Sequence, residues 1–459
     1  MMMTDVQNRI YLLFPPVFAL YILNTFIESV TLEYMTGTLA IPMLLIAYLG
    51  ASRLFRILGG IFLVTGSAMF LYSGLSITAL PLMMTSTMPL LSFLTVLPWM
   101  NSVVRAGRFD RRINRLMKVN VAHLGQLYTR TAFTTYFLAM FINLSALSLS
   151  QEVLRANMRH VKKSLSDSFI SKVTLRAFTL AILWSPMEIM VAITVDTTGV
   201  SYLAYLPWLM LASVIIATID GSWNYWKLKA VPNEPAPGEE PGHIEIDWNT
   251  MARKMGHLIA ALAVFLMAVV TVGNVFALNF ILSVTLVILP FSFLWAVLMR
   301  RFRSFLAVGF ATWKARTNRM QNFVVLFLSL ALFSESLNET PVLTMIQAPF
   351  EQASGTPLLI LLLVQFTYLA LSMIGVHPVA TIAILAEVLQ PMFGVINPQS
   401  IGMVLIMGAL ATATVGTYGV TVTLTSMNTR QNPYRITLRN MPFALLYGSV
   451  GTLIGFLLL

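Results

Sequence analysis

The stretch 374-IGVHPVATIAILAEVLQP-391 sets an imidazole, a proline and a carboxylate inside a run otherwise made mostly of Ile, Val, Ala and Leu. Proline lacks an N–H and its ring collides with the preceding turn, so a helix through this run is interrupted at His377-Pro378. Carbonyls before the break lose their partners, and the half-helix after it presents free N–H groups. Non-helical backbone survives inside a membrane only where protein or a wet cavity covers it. The rest of the chain decides whether this break lies in lipid.

The chain has 459 residues, of which 57% are hydrophobic and 10% charged, and its mean hydropathy is +0.79. Soluble domains carry about 25% charged residues. Apolar runs of roughly 18 residues or more recur along the length, enough to cross a hydrocarbon core of about 30 Å. The runs are continuous rather than alternating, and a backbone in lipid must satisfy itself, so the expected fold is an all-α polytopic membrane protein. Counting runs gives about 10–12 transmembrane helices. The net charge of +11 reads as Lys and Arg collected in short loops on the inner side, not as a nucleic-acid surface. The absence of cysteine excludes disulfides and thiol chemistry.

Spans are expected at about 10–28, 36–51, 57–76 and 84–104. The N-terminus, MMMTDVQNR, lacks a small-residue cleavage site, so the first run reads as a span and not a removed signal. The fourth span ends in 105-RAGRFDRRINRLMK-118, the densest basic cluster, which places it and the N-terminus on the cytoplasmic side of a cell membrane. The stretch 131-TAFTTYFLAMFINLSALSLS-150 has basic residues at both ends and a polar middle, Asn143-Leu-Ser145. It reads equally well as a re-entrant hairpin and as an ordinary span. The hydrophilic stretch 227-KLKAVPNEPAPGEEPGHIEIDWNTMARK-254 is the one clear linker.

After the linker the pattern returns. FLAMFINLSALS (137–148) matches FLSLALFSESLN (327–338) at a shift of 190, and Ser185-Pro186 matches His377-Pro378 at 192. Each Pro-broken helix is followed by an apolar half-helix with one acid, Asp196 or Glu387. The expected organisation is therefore N-terminal helices (1–56), a first repeat (57–220), a cytoplasmic linker (221–255), a second repeat (256–425), and a basic loop with a last helix (426–459). The repeats are parallel if both hairpin candidates are re-entrant and inverted if each crosses. Paired interrupted helices in duplicated halves point to the midplane site of a secondary transporter.

Spans, amphipathic arm, polar-tipped hairpin, Pro-broken helix and final span, occurring twice, resemble the ion transporter superfamily. That group includes divalent-anion/sodium symporters, arsenite and sodium/proton antiporters, and the large subunit of TRAP transporters. The resemblance is architectural, and the family's Ser-Asn-Thr hairpin motif is met only loosely, by Asn143-Leu-Ser145 and 334-SESLNET-340. It implies alternating access around hairpin tips and broken helices, with Asn143, Ser145, Ser185, Ser336, Asn338, Thr340 and His377 at the site beside Pro186 and Pro378. Glu335, Asp196 and Glu387 are the candidates for proton or sodium coupling, since ionisable groups within spans are functional candidates by default.

The expected partners are a small, anionic solute, the lipid bilayer and, optionally, a second copy in a homodimer. No metal site, organic cofactor or nucleic-acid partner is expected. Two other readings remain: an intramembrane acyltransferase-type enzyme with His377 as base and Asn338 as its partner, and a flippase of lipid-linked precursors. No GxxxxGK[ST] motif occurs, which argues against a nucleotide-driven pump.

Overall fold

The computed structural model describes residues 9–107, 121–159, 161–232 and 248–459. Most of the basic cluster 105–118 and of the linker lies outside them. Helices follow one another with short breaks: α1 (Ile10–Ile27), α2 (Val30–Gly50), α3 (Arg53–Tyr72), α4 (Ala79–Met83) and α5 (Met88–Ala106). Next come α6 (Leu124–Ile142), α7 (Leu144–Asn157), α8 (Lys163–Ile182), α9 (Ile189–Thr198) and α10 (Tyr202–Leu228). The later chain forms α11 (Trp248–Phe276), α12 (Phe280–Leu298), α13 (Phe302–Thr317), α14 (Gln321–Asn338) and α15 (Val342–Gln352). It closes with α16 (Pro357–Met373), α17 (Pro378–Leu389), α18 (Pro398–Val415), α19 (Val420–Thr429) and α20 (Pro433–Leu457).

Local chemistry marks the ends. Asn397 and Asn432 cap α18 and α20 through their side-chain oxygens, each followed by a proline at the first helical position. Asn supplies the acceptor that an N-terminus lacks, and Pro at that position removes a donor with no partner to find. By length and composition, eight described segments can cross a membrane: α1, α2, α3, α10, 255–276 of α11, α12, the run 398–429 and α20. The pair α13–α14, bent by 54°, makes a ninth, and three shorter apolar helices accompany them. The protein is an all-α multi-pass membrane protein. The expectation of 10–12 crossings exceeds this count; the span expected at 84–104, now α5, is not among the eight.

The described helices gather into two compact units that interleave along the chain. The first comprises residues 1–106, 268–352 and 383–391, and the second 107–267, 353–382 and 392–459. In the first unit α3 lies along α14. Its buried residues Gly59, Phe62, Gly66 and Phe70 fall on one face, at the i, i+3, i+7 spacing of a helical stripe. In the second unit α18 is almost wholly buried and packs on α16, α9 and α20.

The segment 131–150 folds back at Asn143. Thr135 Oγ1 donates to Ser150 Oγ at 2.9 Å, although fifteen residues of straight helix would part them by about 22 Å. Asn143 makes the reversal with φ 45° and ψ −132°, a conformation that costs a residue with a Cβ about 1–3 kcal/mol. Asn143→Val is expected to lower stability by about 1–3 kcal/mol and Asn143→Gly to match or exceed wild type, read by thermal melting in detergent. Equal melting of the two variants would dismiss the strain.

The second hairpin candidate is corrected. Residues 323–338 form one continuous helix, and 334-SESLNET-340 is its C-terminal end, running to Pro341. No glycine or proline occurs in 323–340 to turn the chain. The repeat register changes with it. Helices α6 to α10 have 19, 14, 20, 10 and 27 residues, and α16 to α20 have 17, 12, 18, 10 and 25 in the same order. Corresponding starts lie 231–235 positions apart. The Ser185-Pro186 break therefore stands opposite 416–419, and the His377-Pro378 break opposite Asn143. The shift near 190 had aligned similar residue types from non-equivalent helices.

Candidate functional site

In the first unit, the last turns of α14 carry Ser334, Glu335 and Ser336, and the C-terminal part of α17 brings Glu387 to them. Ser334 Oγ donates to Glu387 Oε1 at 2.6 Å. Gln347 of α15, itself buried, donates through Nε2 to the Glu387 carbonyl at 2.8 Å. Ser86, in the turn before α5, lies close to Glu335, and Glu387 and Glu339 are within its electrostatic reach. Both carboxylates, Glu335 and Glu387, are half-buried.

The other residues expected in this region divide. Ser336 is fully buried with no partner for its hydroxyl. Thr340 is buried and donates to the Leu337 carbonyl at 2.9 Å. Asn338 and Glu339 are exposed. Among the described residues, no three His, Asp or Glu side chains converge as a metal-ligand set.

The second unit holds Asn143, Ser145, Ser185, Pro186, Asp196, His377 and Pro378. Asn143 and Ser145 sit half-buried at the hairpin reversal. Ser185-Pro186 falls in the break between α8 and α9, as expected, with Ser185 Oγ accepting from the Met187 N–H at 3.4 Å. Asp196 is half-buried in the last turn of α9. His377 ends the 374–377 break, where Gly375 has φ 96°, and its Nδ1 accepts from the Val379 N–H at 3.3 Å. The imidazole therefore caps α17, while Pro378 is that helix's first residue. An enzyme reading needs His377 and Asn338 as a pair, and Asn338 is exposed.

Two polar assemblies in the second unit escaped the sequence reading. Arg176 of α8 donates through Nη1 to Asp220 Oδ1 of α10 at 2.6 Å, both side chains being nearly inaccessible. Tyr128 of α6 donates to Asp220 Oδ2 at 2.6 Å, and Arg176 Nε to Asn440 Oδ1 of α20 at 3.1 Å. Arg176 Nη2 reaches the Arg439 carbonyl at 3.2 Å, and the guanidinium lies over the Phe443 ring at 5.1 Å. The signal was present: an arginine and an aspartate each sit alone amid apolar residues, where an ionisable group requires a partner.

The second assembly ties the hairpin arm to the last half-helix. Gln151 Nε2 of α7 donates to Thr174 Oγ1 at 3.1 Å and to Thr425 Oγ1 of α19 at 2.8 Å. Asn428 returns a bond to Gln151 Oε1 at 2.9 Å. The Thr- and Gly-rich run 412–426 is thus both a helix break, at 416–419, and a packed polar seam.

A contrasting spot lies between α16, α18 and α20. Gln365 is buried with neither end of its carboxamide partnered, its side chain against Gly408 and Gly448. Leaving a buried polar group unmatched costs about 1–3 kcal/mol. Gln365→Leu is expected to raise the melting temperature; a fall would mean that a polar guest occupies the spot.

No family model matches the chain, and a search of curated proteins finds no match. Among solved structures it is similar to the YdaH transporter of Alcanivorax borkumensis, whose crystal structure is described as revealing an unusual topology. The two superpose with a TM-score of 0.59 at 14% identity, over 92% of this chain and 97% of the other. At that identity the likeness is one of fold.

Proposed function

We propose that this membrane protein is a secondary active transporter moving a small anionic solute, coupled to protons or sodium through Glu335 and Glu387. The observation that carries the reading is the Ser334–Glu387 hydrogen bond, which brings Glu387 to the residue next to Glu335 in sequence. A carboxylate pair lined by hydroxyls suits a proton or a monovalent cation, since like charges held close favour taking one up. Of the interrupted helices, those that begin after Asn143 and after Gly419 have no side-chain cap, and such N-termini suit a solute carboxylate. The YdaH transporter shares this fold, which supports transport over catalysis. The proposed location is a cell membrane, with protons or sodium ions as the only coupling species.

The test uses proteoliposomes carrying an imposed pH or sodium gradient and a panel of radiolabelled mono- and dicarboxylates. Gradient-driven accumulation of at least one is expected, falling roughly tenfold or more in Glu335→Gln/Glu387→Gln. Exchange without a gradient should survive in that variant. Wild-type accumulation by the double variant would overturn the assignment.

A further inference from the structure

The α3 helix has a second face, turned away from α14. Along it runs an open groove of about 640 Å³, lined by Tyr48, Arg53, Arg56, Gly60, Ile61 and Val64 among others. The helix positions lie at i, i+3, i+7, i+8 and i+11, one continuous stripe about 16 Å long. Two guanidiniums stand at one end, in the first turn of α3, and the remainder is almost wholly apolar. Ile61 and Val64 are 53% and 71% exposed, so no other described part of this chain covers them.

Two features distinguish this groove from an ordinary lipid-facing helix surface. The first is its shape. Tyr48 of α2 forms a wall, held by donating its hydroxyl to the Arg56 carbonyl at 2.9 Å. A Cβ at Gly60 would lie 3.0 Å from that hydroxyl, so a larger residue there would fill the channel. The second is its charge. Neither Arg53 nor Arg56 has a carboxylate within ion-pair distance among the described residues, and the first turn of α3 contains no acid.

We infer that this groove is a binding site for an anionic phospholipid, its phosphate held by Arg53 and Arg56 and an acyl chain lying along Gly60, Ile61 and Val64. Basic pockets beside membrane helices select charged headgroups in this way. A second copy of the chain is a poorer occupant. It would have to bring acids to the arginines, and the whole sequence has 18 acidic residues against 29 basic ones.

Native mass spectrometry of the full-length protein in detergent tests this, with phosphatidylglycerol and phosphatidylcholine of identical chains added in competition. Wild type is expected to retain phosphatidylglycerol over phosphatidylcholine by roughly tenfold at low salt, the scale that two interfacial arginines supply. Arg53→Gln/Arg56→Gln should bring that ratio close to one. Both arginines are exposed, so this variant should fold. Gly60→Leu should reduce retention of both lipids. Excess inorganic phosphate should leave phosphatidylglycerol bound. Displacement by phosphate, an unchanged ratio in the arginine variant, or a lipid-free dimer as the main species would each overturn the assignment.

Discussion

Asp220→Ala is expected to lower stability by about 3–5 kcal/mol, the cost of leaving a buried charge without its partner. Arg176 would keep its bonds to Asn440 and the Arg439 carbonyl but lose its only anion in this network, and the Tyr128 hydroxyl would lose its acceptor. Because this one carboxylate ties α6, α8 and α10 together and Arg176 extends the tie to α20, the damage reaches four helices. Arg176→Met/Asp220→Met should recover most of the loss, since an apolar pair of similar size avoids desolvating two ions. Tyr128→Phe removes a single bond to a charged group and should cost about 1.5–3 kcal/mol. Thermal unfolding in detergent, followed by tryptophan fluorescence, orders these variants. An Asp220→Ala protein melting with wild type would refute the clasp.

Gly66→Leu is the second large effect. A Cβ at Gly66 would lie 2.9 Å from the Phe333 nitrogen and Cα, and backbone atoms of a packed helix cannot swing aside as a side chain can. The α14 helix must shift, and overpacking of this kind costs about 1–3 kcal/mol or more. Since α14 also carries Ser334 and Glu335, the proposed transport should fall with stability. Gly60→Leu is the matched control: the same substitution, six positions earlier and facing the open groove, should change melting by less than about 0.5 kcal/mol. Equal melting of the two would mean that α3 and α14 do not meet as described.

Much of the architecture was legible because lipid makes hydropathy and proline strong signals. The interruptions at Ser185-Pro186 and His377-Pro378 and most spans follow from residue type alone, whereas the reversal at Asn143 stood level with an ordinary span until the packing of 131–150 was seen. What failed was similarity of letters. The run 327–338 resembled 137–148 yet forms an unbroken helix, because a turn needs a residue tolerant of unusual backbone angles, as Asn143 shows. Glu335 and Glu387 were read as separate candidates. Only the course of α17 after its His377 cap brings Glu387 to Ser334, next to Glu335 in sequence. The Arg176–Asp220 clasp was missed because each residue was judged within its own span, and pairing across helices is invisible until the spans are packed.

The interleaving of the first unit has a consequence for biosynthesis. The glycine face of α3 is complete once residue 72 is made, yet its partner Phe333 emerges about 260 residues later. At about 5–20 residues per second, that interval is on the order of 10–50 s. Throughout it, Gly59 and Gly66 offer a notch shaped for another helix to whatever the membrane or insertion machinery presents. The nascent chain must therefore be shielded from premature pairing long before the first unit is complete.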